Sequence, residues 1–400
     1  MLQCFYQNCE GIELLMKRIL IFYASYGGGH LSAAKSIKQY IEDHYTDVTI
    51  EMLDCVEYIS QSLNSITTAA YRGMAKKAPW AWEKVYTNSS KGMLSKVSST
   101  SNKIMAVKIA KLFRSFSPDI VISTHPFGSQ MTSYLKKKQK TNCVLATVMT
   151  DFAPHDQWLI GKEHVNFFFV SNEVMKQKMI ASGVDADSIV VTGIPISKRF
   201  CATYDRAEIL QSFGLKENKK TALFFGGGEF GLGKEKTINV LKALCTISYP
   251  VQVVAIAGKN EKMKKAFEDI VAETNKQDNV KVLPFTDKVP ELMSISDFVI
   301  TKPGGLTSSE SLASSLPIVV INPIPGQEEE NAEFLVQSGA AIWLKQEDDP
   351  QKIFSELLND AEKLLIMKEN AKKIAKKNAS KDICKILLSD VKRKDVQKND

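Results

Sequence analysis

Four hundred residues, 44% apolar and 24% charged, suffice for two hydrophobic cores and carry the balance of a soluble globular chain. No stretch reaches the ~18 uncharged apolar residues of a membrane-spanning helix, and Glu10 and Glu13 break the N-terminus too early for a signal peptide. Net charge is +7, but Ser60 to Phe116 holds ten Lys or Arg and one acid, Glu83, so that stretch alone is +9 and the rest is near neutral at −2. A concentrated cationic region implies an anionic partner, either a membrane surface or nucleic acid. The seven cysteines are scattered without a C-x-x-C pair, which argues for a reducing cytoplasm and against a disulfide framework or a structural zinc.

In chain order, residues 1–15 show no periodic pattern and Lys17-Arg18 leads straight into an apolar run, so Met16 is the expected natural start and 1–16 an N-terminal extension. Ile19–Tyr23 reads as a buried strand ending near Gly27-Gly28-Gly29, and Ala33, Ala34, Ile37 and Ile41 then recur at helical spacing. Further strands are expected at Ile120–Ile122, Val144–Met149, Phe167–Val170 and Ile189–Val191. The pattern then restarts: Ala222–Phe225 runs into Gly226-Gly227-Gly228 and a helix-prone stretch, followed by strands at Val253–Ala257, Val280–Leu283, Phe298–Thr301 and Ile318–Ile321. Apolar strands alternating with amphipathic helices predict parallel sheets, here in two α/β domains of Rossmann type joined near Pro195 to Glu208. After Asp349 the chain reads as helical and increasingly lysine-rich, with a solvated end.

Ligands of such sheets bind beyond the C-terminal ends of the strands, so the residues there matter most. Gly304-Gly305-Leu306-Thr307-Ser308-Ser309-Glu310 follows one strand and opens a helix, whose free N–H groups attract phosphate; Thr307 and Ser308 also suit an ordinary helix cap. Pro323-Ile324-Pro325-Gly326-Gln327-Glu328-Glu329-Glu330-Asn331 follows the next strand and presents an amide beside a carboxylate, the paired groups that sugar hydroxyls need. Glu329 and Glu330 are better read as complementing the helix dipole. His30 stands at a helix start facing the cleft, where a neutral imidazole can accept a proton or contact phosphate. Asp151, after Thr150, is a competing base or orients His30; His155 and, more weakly, His125 line the acceptor side, and Trp158 is core or contact. The only D-x-D, Asp185-Ala186-Asp187, lies in a turn away from any strand end, so catalysis without metal is expected.

The run K-P-G-G-L-T-S-S-E (Lys302–Glu310) followed by P-x-P-G-Q-E-x-E-N (Pro323–Asn331) resembles the donor site of glycosyltransferase family 28, in the branch of the monogalactosyldiacylglycerol synthases and processive diacylglycerol glucosyltransferases. S-Y-G-G-G-H (Ser25–His30) and T-D-x-x-x-H-x-x-W (Thr150–Trp158) resemble the same branch, and the likeness runs from about Lys17 to Leu365. The resemblance implies a GT-B fold, two Rossmann-like domains facing across a cleft: 17–200 for acceptor and membrane docking, 201–375 for the UDP-sugar, and 376–400 as a polar tail. It implies inversion at the anomeric carbon, with UDP-glucose or UDP-galactose as co-substrate, no further cofactor, and His30 and Asp151 as catalytic residues. Gly28, Gly29, Gly227, Gly228 and Glu229 would close on the donor; Gly305, Leu306 and Thr307 would bind its diphosphate and Glu310 its ribose; Phe285 and Thr286 would lie against the uracil. Gln327 and Glu328 would hold the hexose, with Asn331 bracing their loop. One departure is Ser197, where the lipid II-forming relatives carry an Arg; a phosphate contact there would fall to Lys198 or Arg199.

The basic stretch fits this resemblance. Lys76, Lys77, Trp80 and Trp82 set cations beside indoles, which suits a lipid interface, where each cation gains about 1 kcal/mol on anionic lipid. No reader motif for nucleic acid occurs. The partners expected are therefore diacylglycerol and an anionic membrane, with the protein peripheral on the cytoplasmic face. An N-acetylglucosaminyltransferase acting on a polyprenyl-linked precursor, or a UDP-sugar epimerase, are the alternatives on this fold.

Overall fold

The computed structural model describes residues 16–25, 28–60, 108–226 and 233–391. Gly27, Lys76, Lys77, Trp80, Trp82, Gly227, Gly228 and Glu229 lie outside these residues. Among the described residues, twelve strands form two six-stranded, wholly parallel sheets. The first holds β1 (Lys17–Tyr23), β2 (Val48–Asp54), β3 (Ile120–Ser123), β4 (Val144–Val148), β5 (Phe167–Val170) and β6 (Ile189–Val191), in the order β2-β1-β3-β4-β5-β6. The second holds β7 (Lys220–Phe225), β8 (Val251–Ile256), β9 (Val280–Leu283), β10 (Phe298–Thr301), β11 (Ile318–Val320) and β12 (Ala341–Trp343), in the order β12-β11-β10-β7-β8-β9.

Helices cover both faces of each sheet, and this is why the strands read as continuous apolar runs. Along β1, Ile19 and Ile21 pack on one side with Ile37 and Ile41, while Leu20 and Phe22 pack on the other with Val121 and Leu145. β7 does the same, with Ala222 and Phe224 on one face and Leu223 on the other. β2 and β12 were not anticipated. β2 is an edge strand of alternating, half-exposed residues, and β12 has only three residues, so neither shows a buried run.

Each sheet has a switch point where successive connections leave in opposite directions: between β1 and β3 in the first, and between β7 and β10 in the second. His30 follows β1 and His125 follows β3; Gly226 follows β7 and Lys302-Pro303-Gly304-Gly305 follows β10. The motifs thus stand at the two crevices this topology opens for ligands.

The chain crosses between the sheets over 192–205, and Ile194, Ile209 and Leu210 already belong to a core of the second sheet. It then crosses back. The expected polar tail from 376 is corrected here, because the Ala379–Leu387 helix carries Ile383, Cys384 and Leu387 onto Ile37 and Ile41 in a core of the first sheet. Its apolar residues recur at helical spacing between lysines, and that composition hid the stripe. Lys17 pairs with Asp390 at 2.8 Å where this segment meets β1. Of the basic stretch, 108–116 is helical and turns Ile109, Leu112 and Phe113 into the first sheet's core, leaving Lys111 and Arg114 exposed.

Candidate active site

The acceptor wall is a cluster of aromatic rings at the ends of β1, β3 and β4. His30 lies in the first turn of the Gly28–His44 helix; its Nδ1 is 2.6 Å from the Thr124 carbonyl oxygen and 3.0 Å from Thr150 Oγ1. A carbonyl oxygen only accepts, so Nδ1 carries the proton and a neutral ring keeps its lone pair on Nε2. The expectation that Asp151 orients His30 is not met, since Thr124 and Thr150 do so. His125 caps the Pro126–Lys137 helix and meets His30 edge-on at 4.7 Å between centroids. Trp158 is fully buried core, its ring 5.8 Å from that of His155 and 6.4 Å from that of His30. Burial is the main force on the imidazoles: it lowers His30 and His155 to about 4 and His125 well below its ordinary value, with mutual repulsion adding to the last two. All three rings are neutral near pH 7.

Asp151 is buried beside them, and burial lifts its carboxyl to about 6 against hydrogen bonds from Asn331 and Gln327 that favour the charged form. Glu328 raises it further by repulsion. Both of these acids belong to the pattern of a carboxyl tuned toward neutral pH in a cleft.

The donor wall consists of helix starts. The Gly305–Ala313 helix begins at Gly304, and the Gln327–Gln337 helix at Gly326. A Cβ placed on Gly28 or on Gly304 would meet no described atom within 4 Å, so there is open space at these two helix starts, where the positive ends of the helix dipoles stand. Glu310 lies half-buried on the first of these helices, and burial pushes its carboxyl up to about 8. Glu328 accepts from Ile324 N–H at 2.7 Å, which shapes its own loop; burial raises its carboxyl, opposed by that bond and by Lys302. Phe285 is 64% exposed, with Lys259 Nζ 5.3 Å from its ring centre, and Thr286 Oγ1 accepts from Lys288 N–H at 3.1 Å, so the two flank an open loop.

The two walls touch. Asn331, fully buried, accepts from Phe152 N–H at 2.8 Å and donates to Asp151 Oδ1 and to the Pro303 carbonyl, each at 3.1 Å. Gly305 passes so close to Thr150 that a Cβ would lie 2.0 Å from its carbonyl oxygen, and a Cβ on Gly29 would lie 3.6 Å from Leu306 Cβ. Three helix starts, Gly28, Gly305 and Gln327, therefore converge around the loop that carries Asp151.

Neighbouring residues divide into site and scaffold. Glu329 Oε2 accepts from Gly326 N–H at 3.0 Å and so caps its helix, while Glu330 pairs with Lys178 at the surface. Lys198 is taken by Asp43 at 2.8 Å and Arg199 by Glu291 at 3.0 Å, so neither cation next to Ser197 points to a phosphate. Asp185 caps the Ala186–Ser188 turn through Asp187 N–H. No group of three or more His, Cys, Asp or Glu that could hold a metal occurs among the described residues. Sequence reasoning assigned no role to Lys302, Thr124 or Thr150. Lys302 is partly buried beside Glu328, burial lowering its ammonium and the carboxylate raising it. Its place in the quoted motif was the one available signal.

With this geometry in place, comparison with known proteins decides the family. The model for monogalactosyldiacylglycerol (MGDG) synthase matches residues 30–196, and that for glycosyl transferases group 1 matches 205–374. The processive diacylglycerol beta-glucosyltransferase of Bacillus pumilus (strain SAFR-032) is 31% identical over 379 residues, 92% of this chain and 93% of that protein. This chain belongs to glycosyltransferase family 28, in the diacylglycerol glucosyltransferase branch. Among solved structures, MurG of Acinetobacter baumannii superposes with a TM-score of 0.64 at 15% identity, covering 93% of this chain and 99% of its own. The UDP-GlcNAc 2-epimerase of Neisseria meningitidis, bound to UDP-GlcNAc, gives 0.63 at 16%, covering 94% and 100%. At such identities the likeness establishes the family 28 fold, GT-B, and nothing about substrate.

Proposed function

We propose that this chain is an inverting hexosyltransferase that moves glucose or galactose from UDP to the free hydroxyl of diacylglycerol at the cytoplasmic leaflet, giving a β-glycosyl-diacylglycerol. The observation that carries the reading is the convergence of three helix starts on a buried carboxyl beside neutral imidazoles. Gly28, Gly29, Gly305, Leu306 and Thr307 hold the diphosphate with backbone N–H groups, and the helix termini stabilise the charge that develops on departing UDP. Glu310 binds the ribose, Phe285 and Thr286 the uracil, and Gln327 and Glu328 the hexose. The acceptor hydroxyl oxygen attacks the anomeric carbon, the bond to the diphosphate breaks with its electrons leaving on UDP, and Asp151 takes the hydroxyl proton. Asp151, near 6, is better matched to neutral pH as a base than His30, near 4. His30, with a lone pair on Nε2, accepts a hydrogen bond from the acceptor and is ill suited to a phosphate. The lipid is supported by the names of the relatives and by the +9 charge of residues 60–116.

Incubation with UDP-glucose or UDP-galactose and diacylglycerol in anionic vesicles is expected to yield UDP and a β-glycolipid by mass spectrometry. The acid limb of kcat/KM is expected near pH 6, because the base must be ionised; a limb near 4 would transfer the role to His30. The proposal fails if no lipid acceptor is glycosylated with either donor, or if UDP-sugar is converted without lipid, as an epimerase would do.

A further inference from the structure

We infer that Asn331 is the positioning residue of the transfer step: supplied by the donor-side sheet, its amide sets the Asp151 carboxylate of the acceptor-side sheet, so the base is in place only when the two domains are closed. The inference rests on the reading of Asp151 as base. Its ground is geometric. One fully buried amide makes three hydrogen bonds, two to the Asp151-Phe152 segment and one to Pro303, at the start of the glycine turn opposite. The network fixes the amide's orientation. A flipped amide would turn its oxygen toward the Asp151 carboxylate and the Pro303 carbonyl, both acceptors, and its NH₂ toward the Phe152 N–H, a donor.

Two further contacts hold the same junction. Phe152 stacks on Phe334, three residues beyond Asn331 on its helix, with ring centres 5.0 Å apart and planes 11° apart. Gly305 admits Thr150 only because it lacks a Cβ. Asp151 is thus gripped through its side chain by Asn331, while Thr150 and Phe152 on either side of it are locked against the other domain. Asn331 need not touch a substrate atom to matter; it makes the position and ionisation of the base depend on closure.

The test uses the full-length enzyme with Asn331→Ala, Asn331→Asp, Asp151→Asn and Asp151→Asn/Asn331→Ala, with folding checked by circular dichroism. Steady-state kinetics against UDP-glucose and diacylglycerol vesicles, pH profiles of kcat, and calorimetric titration with UDP give the readouts. Asn331→Ala is expected to lower kcat by ~100-fold, the scale of a misplaced reacting group, with UDP affinity changed less than about threefold. Its acid limb should move to higher pH, since the lost donor favoured the carboxylate form. Asn331→Asp keeps an acceptor for Phe152 N–H, which guards against unfolding, and places a second carboxylate on the first, so its limb should move further up. The double variant should be no slower than Asp151→Asn, because Asn331 acts through that residue. Additive losses, an unmoved limb in both Asn331 variants, or a fall in UDP affinity that accounts for the whole loss would each overturn the inference. An Asp151→Asn enzyme with wild-type kcat would overturn the base reading as well; a slow Asp151→Asn beside an unimpaired Asn331→Ala would overturn this inference alone.

Discussion

The two walls of the cleft are made of the same strand-turn-helix units yet differ in their electrostatics. On the donor wall, helix starts, Lys302, Glu310 and Glu328 keep polar and ionisable groups at the cleft against the cost of burial. On the acceptor wall, His30 and His155 lie near Trp158 and His125 meets His30, and burial holds all three imidazoles neutral. Under the proposed reaction this division suits the chemistry: the helix starts, Gly28 among them, meet a dianionic diphosphate that gains charge as it leaves, and the imidazole cluster meets a neutral hydroxyl. The difference also accounts for a proposed base that stands at the seam. At the seam Asn331 and Gln327 provide the Asp151 carboxylate with donors from across the cleft.

The comparison can be broken most severely at the seam itself. Gly305→Ala would drive a methyl into the Thr150 carbonyl, so the walls must separate; kcat is expected to fall by about 100-fold and by more than UDP affinity, as measured by steady-state kinetics and titration with UDP. A variant with wild-type kcat would show that the closed contact is dispensable. Glu310→Gln tests the donor wall with a smaller effect. Because the folded carboxyl titrates at about 8, above an ordinary carboxylate, the folded chain holds more protons than the unfolded one in that window, and stability of the UDP-free protein falls as pH rises toward 8. If Glu310 binds the ribose as proposed, the hydroxyls donate to its ionised form, so UDP should bind more tightly as pH rises and should release a proton below pH 8. Glu310→Gln should bind UDP ~10-fold more weakly, a loss on the scale of one hydrogen bond to a charged group, with a flat pH dependence. Its UDP-free melting temperature at pH 8 should be a few degrees higher, as about 1 kcal/mol gives in a domain of this size. Calorimetry in buffers of different ionisation heat and thermal melts decide both. The smallest effect belongs to Glu330→Ala: its pair with Lys178 is exposed on both sides, so stability should change by less than ~1 kcal/mol and kcat not at all. That outcome would separate Glu330 from Gln327 and Glu328, its neighbours in sequence.

Much of this architecture can be read along the chain. Strands such as Ile19–Tyr23 and Phe298–Thr301 show as apolar runs because both faces of a parallel sheet are covered, and the glycines that follow them mark turns beneath helix starts. The two glycine-led helix starts of the donor wall and their acids lie within thirty positions of one another, Lys302 to Asn331, so their local order already suggests one site, while Phe285 and Thr286 stand apart from it in sequence. β2 escaped notice because an edge strand is half-solvated, and the Ala379–Leu387 helix because its lysines mask an apolar stripe whose partners, Ile37 and Ile41, lie more than three hundred residues away. Local periodicity records which face of an element is buried and leaves out against what. The amino-acid sequence by itself determined two strand-glycine-helix domains and the chemistry available at their strand ends. Only the tertiary structure decided that Thr124 and Thr150 orient His30, that Lys198 and Arg199 are spent on ion pairs, and that Asn331 reaches Asp151 180 residues away. Those pairings depend on how the two sheets pack, and no short-range pattern encodes that packing.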